Sequence, residues 1–426
     1  NTYPKNEYIL GTGGFAGVIN GGVFENINLK LNTDIISKNS NGNSYAGGFA
    51  GYVMNGTFSN IKLEGTKNIS SQATNGKSYA GGFAGAMIYR YYDDRDLNNI
   101  NIHLNGDISS QSTNGSSYAG GFAGYINYGI FSNIKLDGIK NISSQATNGK
   151  SYAGGFAGEI NSYNGIFDNI NINVSKSNIS STSTNGDSYA GGFTGYTGDN
   201  NEYKNISING SDNFNISSTA TNGSSYAGGF LGAQHTSTTS VTNIPKYNNI
   251  IIKNISSIFS QLNDNKKYYN GSYSGGFAGV ALGNFSNIQI ENIKNISNNI
   301  NGTASNYGNS YVGGFAGSIW SDSKISHISL KNIGDISSIT NDGMINQTYI
   351  GGFIGDINFI NDINYAKIDN ISIDGIKSIT NTYNIKGSSA SSVGGFIGRV
   401  KNINLENISI KNLGAISNLN NKLSVY

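Results

Sequence analysis

YAGGFAGYVMNGTFSNIKLEGTKNISSQATNGKS, residues 45–78, is the stretch whose reading decides the fold. Three short apolar stretches, YAGGFAGYV, FSNIKL and NISSQ, are separated by turn residues. Segments this short, β-branched or aromatic and bounded by Asn-Gly and Gly-Gly, read as strands. The stretch then recurs along the chain. The string Gly-Gly-Phe-x-Gly occurs eleven times, with its phenylalanine at Phe15, Phe49, Phe83, Phe122, Phe156, Phe193, Phe230, Phe277, Phe315, Phe353 and Phe396, spaced 34 to 47 residues apart. Periods of this size mark stacked-repeat architectures.

The second stretch of each unit carries an Asn-Ile step, with Asn60, Asn99, Asn133, Asn169 and Asn205 as examples and His327 in place of Asn in the ninth unit. The third stretch carries an isoleucine in every unit, among them Ile36, Ile69, Ile108 and Ile142. Asn-Gly also makes hairpin turns, but a register kept over eleven units demands like stacked on like. The expected fold is therefore all-β: one parallel β-helix, a solenoid array over residues 1–426, with about eleven coils and three short strands per coil. Coils rising about 4.8 Å each give a rod on the order of 50 Å long. One coil per repeat is assumed; two smaller coils per repeat would double that length. Phe49, Phe83 and Phe122 then form one column, the isoleucines a second, and the asparagines an amide ladder. That ladder is expected to be buried at a corner. Asn133 should be bonded to adjacent coils, and Asn148, in an Asn-Gly turn, should matter less.

Glycine recurs three times per unit, as at Gly47, Gly48 and Gly51. A bulge that turns both Ala46 and Phe49 inward would explain it. An aromatic stands four residues before the phenylalanine in nine units: Tyr45, Tyr79, Tyr118, Tyr152, Tyr189, Tyr226, Tyr273, Tyr311 and Tyr349. Two readings stay open, a stacking column that closes the turn or an exposed aromatic platform for sugar or protein.

Composition narrows the functional classes. The chain has 426 residues, 59 of them Gly, no Cys, 12% charged residues and a net charge of +2. Such a weak, scattered charge cannot recruit nucleic acid or an anionic membrane. No apolar run approaches the roughly 18 residues of a transmembrane helix. Lack of cysteine excludes disulfides and thiolate metal sites and suits passage through an oxidising periplasm. The chain begins at Asn1 without a leader, so any export signal is expected to have been removed.

YAGGFAG, followed by an Asn-Gly turn and a Ser-Asn-Ile strand, resembles the GLUG-type repeat of large bacterial surface proteins. The similarity spans residues 11–417, with phenylalanine used almost exclusively and a longer unit. It implies a β-helical segment of an adhesin or autotransporter-like passenger on the bacterial outer surface or secreted from the cell, and it implies no activity.

A search for chemistry finds little. His103, His235 and His327 stand in unrelated settings, without metal-ligand spacing. The one acidic cluster is Asp93, Asp94 and Asp96 around Arg95, after Tyr89, Tyr91 and Tyr92. It could contact a ligand, hold a cation or supply an acid–base pair, although a solvated loop explains it as well. No cofactor or metal is expected. Function on a solenoid usually lies where the repeat is broken. Insertions at residues 86–98, 233–248 and 356–369 leave the same corner, so that edge is the candidate contact surface; a fourth, 261–272, leaves another corner. The expected function is a surface adhesin or stalk presenting that edge to a host or neighbouring-cell protein or glycan. The alternative is a glycan-active β-helix lyase or hydrolase. Neither end carries a capping helix in sequence, so the array is expected to be part of a longer chain or to associate end to end or side by side.

Overall fold

The computed structural model describes residues 9–89, 96–162, 164–174, 177–198, 200–211, 213–234, 244–264, 270–302, 308–320, 322–341, 345–358, 366–384, 390–401 and 403–421. Among the described residues there is no helix, and the strands pair in parallel into two eleven-stranded sheets and one seventeen-stranded sheet. The fold is a parallel β-solenoid. Register is like on like: Ile69 pairs with Ile108 and Ile108 with Ile142, Tyr79 with Tyr118 and Tyr118 with Tyr152. Successive repeats are thus hydrogen-bonded neighbours, so each repeat is one coil and the smaller double coil is excluded.

The strand count per coil needs correction. The first stretch is two strands, Ser44–Gly47 and Ala50–Val53, which belong to different sheets and meet at Gly48-Phe49. Gly-Gly-Phe is therefore a corner and not a bulge within one strand, although Ala46 and Phe49 do both point inward and are fully buried. The physical reason lies in how closely the backbones approach. A Cβ on Gly48 would land on the carbonyl oxygen of Gly82 in the next coil, and one on Gly51 would sit 2.5 Å from the Thr12 nitrogen in the previous coil. The other two strands, Thr57–Glu64 and Ile69–Ala73, fuse in later coils into single bent strands such as Lys246–Asp264 and Asn284–Gly302. In those coils an apolar residue fills the bend: Ile255 pairs with Ile293 and Ile293 with Ile333, whereas Thr66 stands at the bend of the second coil.

The missing bulge is found at the Asn column. All eleven residues of that column, His327 included, adopt a left-handed backbone with φ between 52° and 56°. Strict alternation would put Phe58 and Ile61 on opposite faces; the left-handed Asn60 between them lets both point inward, where both are buried. Asn and His are enriched at positive φ because their side chains tolerate it better than branched ones. The amide ladder exists, but on the outside. Asn60 donates to Asn26 at 3.0 Å, Asn99 to Asn60 at 2.7 Å, Asn169 to Asn133 at 2.6 Å, and all are exposed. Asn133 itself donates to Asn98, and Asn205 to Asp168. The expected burial of this column is thus overturned: a residue at the crest of an outward kink carries its side chain into solvent. The expected contrast with Asn148 changes too. Asn148 belongs to its own exposed ladder, donating to Asn114 at 2.9 Å and accepting from Asn185 at 2.8 Å.

These geometries give a first prediction. Asn133→Ala should cost about 1–2 kcal/mol, because alanine resists the left-handed backbone, while Asn133→Gly and Asn148→Ala should each cost less. Urea unfolding of the three variants measures this. Equal losses for Asn133→Ala and Asn133→Gly would assign the cost to the amide bond and not to the backbone.

The interior holds Phe and Ile columns. Phe49, Phe83 and Phe122 stack at 4.9 and 5.0 Å with nearly parallel rings, and Ile69, Ile108 and Ile142 are fully buried. In the first coil the ladder residue is Ile35, which pairs with Ile69, and the neighbouring Ile36 is exposed. One interior feature escaped the sequence reading. Buried serines from two strands form a zigzag of hydroxyls along the rod: Ser71 donates to Ser44 at 3.0 Å, Ser78 to Ser71 at 2.9 Å, Ser144 to Ser117 at 2.9 Å and Ser151 to Ser144 at 2.9 Å. A hydroxyl both donates and accepts, so these linked runs, joined elsewhere through backbone carbonyls as Ser110 donates to Ser78 O, satisfy buried polar groups that would be costly singly.

Candidate functional site: a tyrosine groove

The Gly-Gly-Phe corner turns the outer faces of two sheets toward each other. Along one face runs the tyrosine column. Tyr45, Tyr79, Tyr118, Tyr152, Tyr189, Tyr226 and Tyr273 stack successively at 4.7 to 4.9 Å, with ring planes within 8°. The spacing is the coil rise itself, so one tyrosine per repeat produces the column without further information.

Across the corner lies a second column, three residues after each phenylalanine, and it varies. In register it reads Tyr52, Ala86, Tyr125, Glu159 and Tyr196, then Ala233, Val280 and Ser318, then Asp356 and Arg399. Where it supplies tyrosine it covers the first column edge to face: Tyr52 against Tyr45 at 4.8 Å, Tyr125 against Tyr118 at 5.8 Å, Tyr196 against Tyr189 at 5.1 Å. There the rings are largely buried and the stacking reading of the tyrosines holds. Where it supplies Ala233, Val280 and Ser318 the cover is lost. A cleft of about 340 Å³ opens, lined by Tyr226, Tyr273 and Tyr311 on one side and by Val280, Ser318 and Trp320 on the other. Beyond it the groove is closed. Arg399 donates to both carboxylate oxygens of buried Asp356, at 2.6 and 2.8 Å, and lies 4.5 Å over the Tyr349 ring.

Glu159 is the anomaly in the covering column. It occupies the level of Tyr125 and Tyr196, partly buried, with no hydrogen bond or ion pair among the described residues. Burial pushes its carboxyl up to about 7, opposed only in part by Lys77 and Lys150. Lys150 is itself paired with Asp187 at 3.0 Å, and Asp187 accepts from the Tyr189 hydroxyl. Folding therefore favours the protonated Glu159 between the unfolded value near 4.5 and about 7. Its stabilisation is complete below the lower value and disappears as pH rises through the upper one. At pH 8 wild type should have lost about 1–3 kcal/mol relative to pH 5, and Glu159→Gln should not show that loss. Thermal melts of both proteins at the two pH values test this; parallel behaviour would contradict it.

The residues proposed from sequence fare unevenly. Tyr89 is buried in the interior core and is no contact residue; the turn after Ala84–Ile88 carries its ring inward, not out. Asp96 begins the next strand, exposed, pairing with Ile130. Tyr91, Tyr92, Asp93, Asp94 and Arg95 lie outside the described residues, as does His235. The strands flanking the three insertions, Ala84–Ile88 and Asp96–His103, Leu231–Gln234 and Lys246–Asp264, Ile354–Asn358 and Ala366–Asn384, place all three at the same corner. Most of each insertion falls outside the described residues. Among those described, no group of three or more His, Asp or Glu gathers in metal-binding fashion, and no helix is long and apolar enough to cross a membrane. No family model, curated protein or solved structure matches this chain.

Proposed function

We propose that this chain is a non-catalytic rod of the bacterial outer surface, an adhesin or stalk segment that meets a host or neighbouring-cell glycan or protein along its side. The tyrosine groove is the observation that carries the reading. Nine coils each contribute one ring to it, yet the covering column changes from coil to coil and leaves one stretch open. A rod that keeps its scaffold constant and varies one outer column is built to present that column. The likeness of YAGGFAG to surface-protein repeats points the same way.

Beads coated with the 426-residue chain should adhere to epithelial or bacterial cells more than albumin-coated beads do under flow. Equal retention would overturn the adhesive reading. Glu159 favours a second one. A carboxyl held near pH 7 inside an aromatic groove has the character of a general acid, as a glycan-active β-helix enzyme would need. Release of reducing ends from polysaccharide, abolished by Glu159→Gln, would replace the adhesin with that enzyme.

A further inference from the structure

The tyrosine column has one fault, and the fault coincides with the cleft. From Tyr45 to Tyr273 successive rings are parallel, but Tyr311 is turned 73° from Tyr273 at a centroid distance of 5.3 Å. Below the fault stacking resumes, Tyr311 on Tyr349 at 5.4 Å and 15°. In an unbroken stack each ring face is consumed by its neighbours and only the edges look outward. A fault releases a face. Here the fault lies where Val280 and Ser318 take the place that Tyr52, Tyr125 and Tyr196 fill in earlier coils, with Tyr273 partly exposed.

We propose that this cleft is a binding subsite for one pyranose ring of a neutral glycan. A pyranose presents a face of C–H bonds with partial positive charge, which the negative face of a tyrosine attracts, and a rim of hydroxyls that both donate and accept. The cleft offers matching groups. In its wall, buried in this structure, the Trp320 indole N–H and the Asn309 amide oxygen find no partner among the described residues. Its volume of about 340 Å³ lies at the small end of small-molecule sites. Charge decides against an acidic sugar: Lys150, the cation on the lining, is neutralised by Asp187. This assignment rests on the adhesive reading and names the ligand class for it.

Covering the cleft tests it, because the fold already tolerates the cover. Val280→Tyr and Ser318→Tyr each restore the residue found at Tyr52, Tyr125 and Tyr196. Saturation-transfer NMR with cellotetraose, chitotetraose, β-mannotetraose and β-galactotetraose as probes should show ring-proton contact for at least one of them with wild type. Each covered variant should weaken that signal at least tenfold while melting as wild type does. Contact that survives both substitutions, or contact with none of the four probes, overturns the subsite. Bead adhesion separates the two levels: adhesion retained without tetraose contact removes this subsite and keeps the adhesin, whereas absence of wild-type adhesion removes the adhesin itself.

Discussion

Gly121→Ala is expected to destabilise the array by about 3 kcal/mol or more. A Cβ at Gly121 lands on the carbonyl oxygen of Gly155 in the next coil and 2.8 Å from the Ile139 Cδ1. A side chain in the way can rotate, but this carbonyl belongs to backbone whose flanking groups are bonded to the coils on either side. Gly155 N donates to Gly191 O at 3.2 Å, and Gly121 N donates to Gly154 O at 3.1 Å, so relief means opening the ladder between coils. Overpacking that yields through side chains costs about 1–3 kcal/mol; here the nearest obstacle is a backbone carbonyl. Gly186→Ala, in an outer turn, makes a poor control because it too faces a neighbouring carbonyl. Gly21→Ala is a better one: it has open space but φ of +85°, so it reports the cost of the left-handed backbone alone. Denaturant unfolding should place Gly121→Ala well below both wild type and Gly21→Ala. A Gly121 variant as stable as the Gly21 variant would mean that the corner can open without cost.

Phe122→Ala should cost about 3–5 kcal/mol, the range for emptying a fully buried aromatic site. Phe122 has no exposed surface. It stacks on Phe83 at 5.0 Å and on Phe156 at 4.9 Å, and meets Phe131 edge to face at 5.9 Å. Truncation removes contacts above, below and beside it, and neighbouring coils held by their own ladders cannot collapse inward to fill the space. Phe15→Ala makes the comparison informative, since Phe15 is 48% exposed and stacks on one side only, on Phe49. It should cost less than half as much. Hydrogen exchange should locate the Phe122→Ala loss in its own and adjacent coils, because stability in stacked repeats is a nearest-neighbour property. Uniform loss of protection along the whole rod would contradict that.

Much of this was legible in sequence, for a reason specific to solenoids. In a coil of constant rise, a residue type repeated at one position must stack on itself, so Phe49, Ile69 and Tyr79 announce their columns by recurrence. What recurrence cannot report is the side to which a column points. The Asn column was assigned to a buried corner because amide ladders suit burial. The better clue was chemical: His327 is its one substitute, and Asn with His is the pairing expected at positive φ. The serine zigzag was hidden because Ser71 and Ser78 come from different strands, and only the corner brings their hydroxyls to 2.9 Å. The groove was half visible. Its tyrosines repeat, whereas its covering column, Tyr125, Glu159, Tyr196, Ala233, has no common residue type to signal a position. The acidic segment that drew attention in sequence contributes a strand start at Asp96 and a core ring at Tyr89 among its described residues.

The core columns, the ladders and the groove all require one coil per repeat, stacked parallel and in register, and a single distance tests that. Lys62 and Gln289 occupy equivalent exposed positions, linked step by step through Asn101, Lys135, Asn171, Ser207 and Ile251. Six coil rises separate them. Spin labels at the two sites should show, by pulsed electron resonance, a distance distribution centred near about 29 Å. A distribution centred near about 58 Å, the value for two coils per repeat, or one with no defined maximum, would contradict the stacked solenoid and the groove built on it.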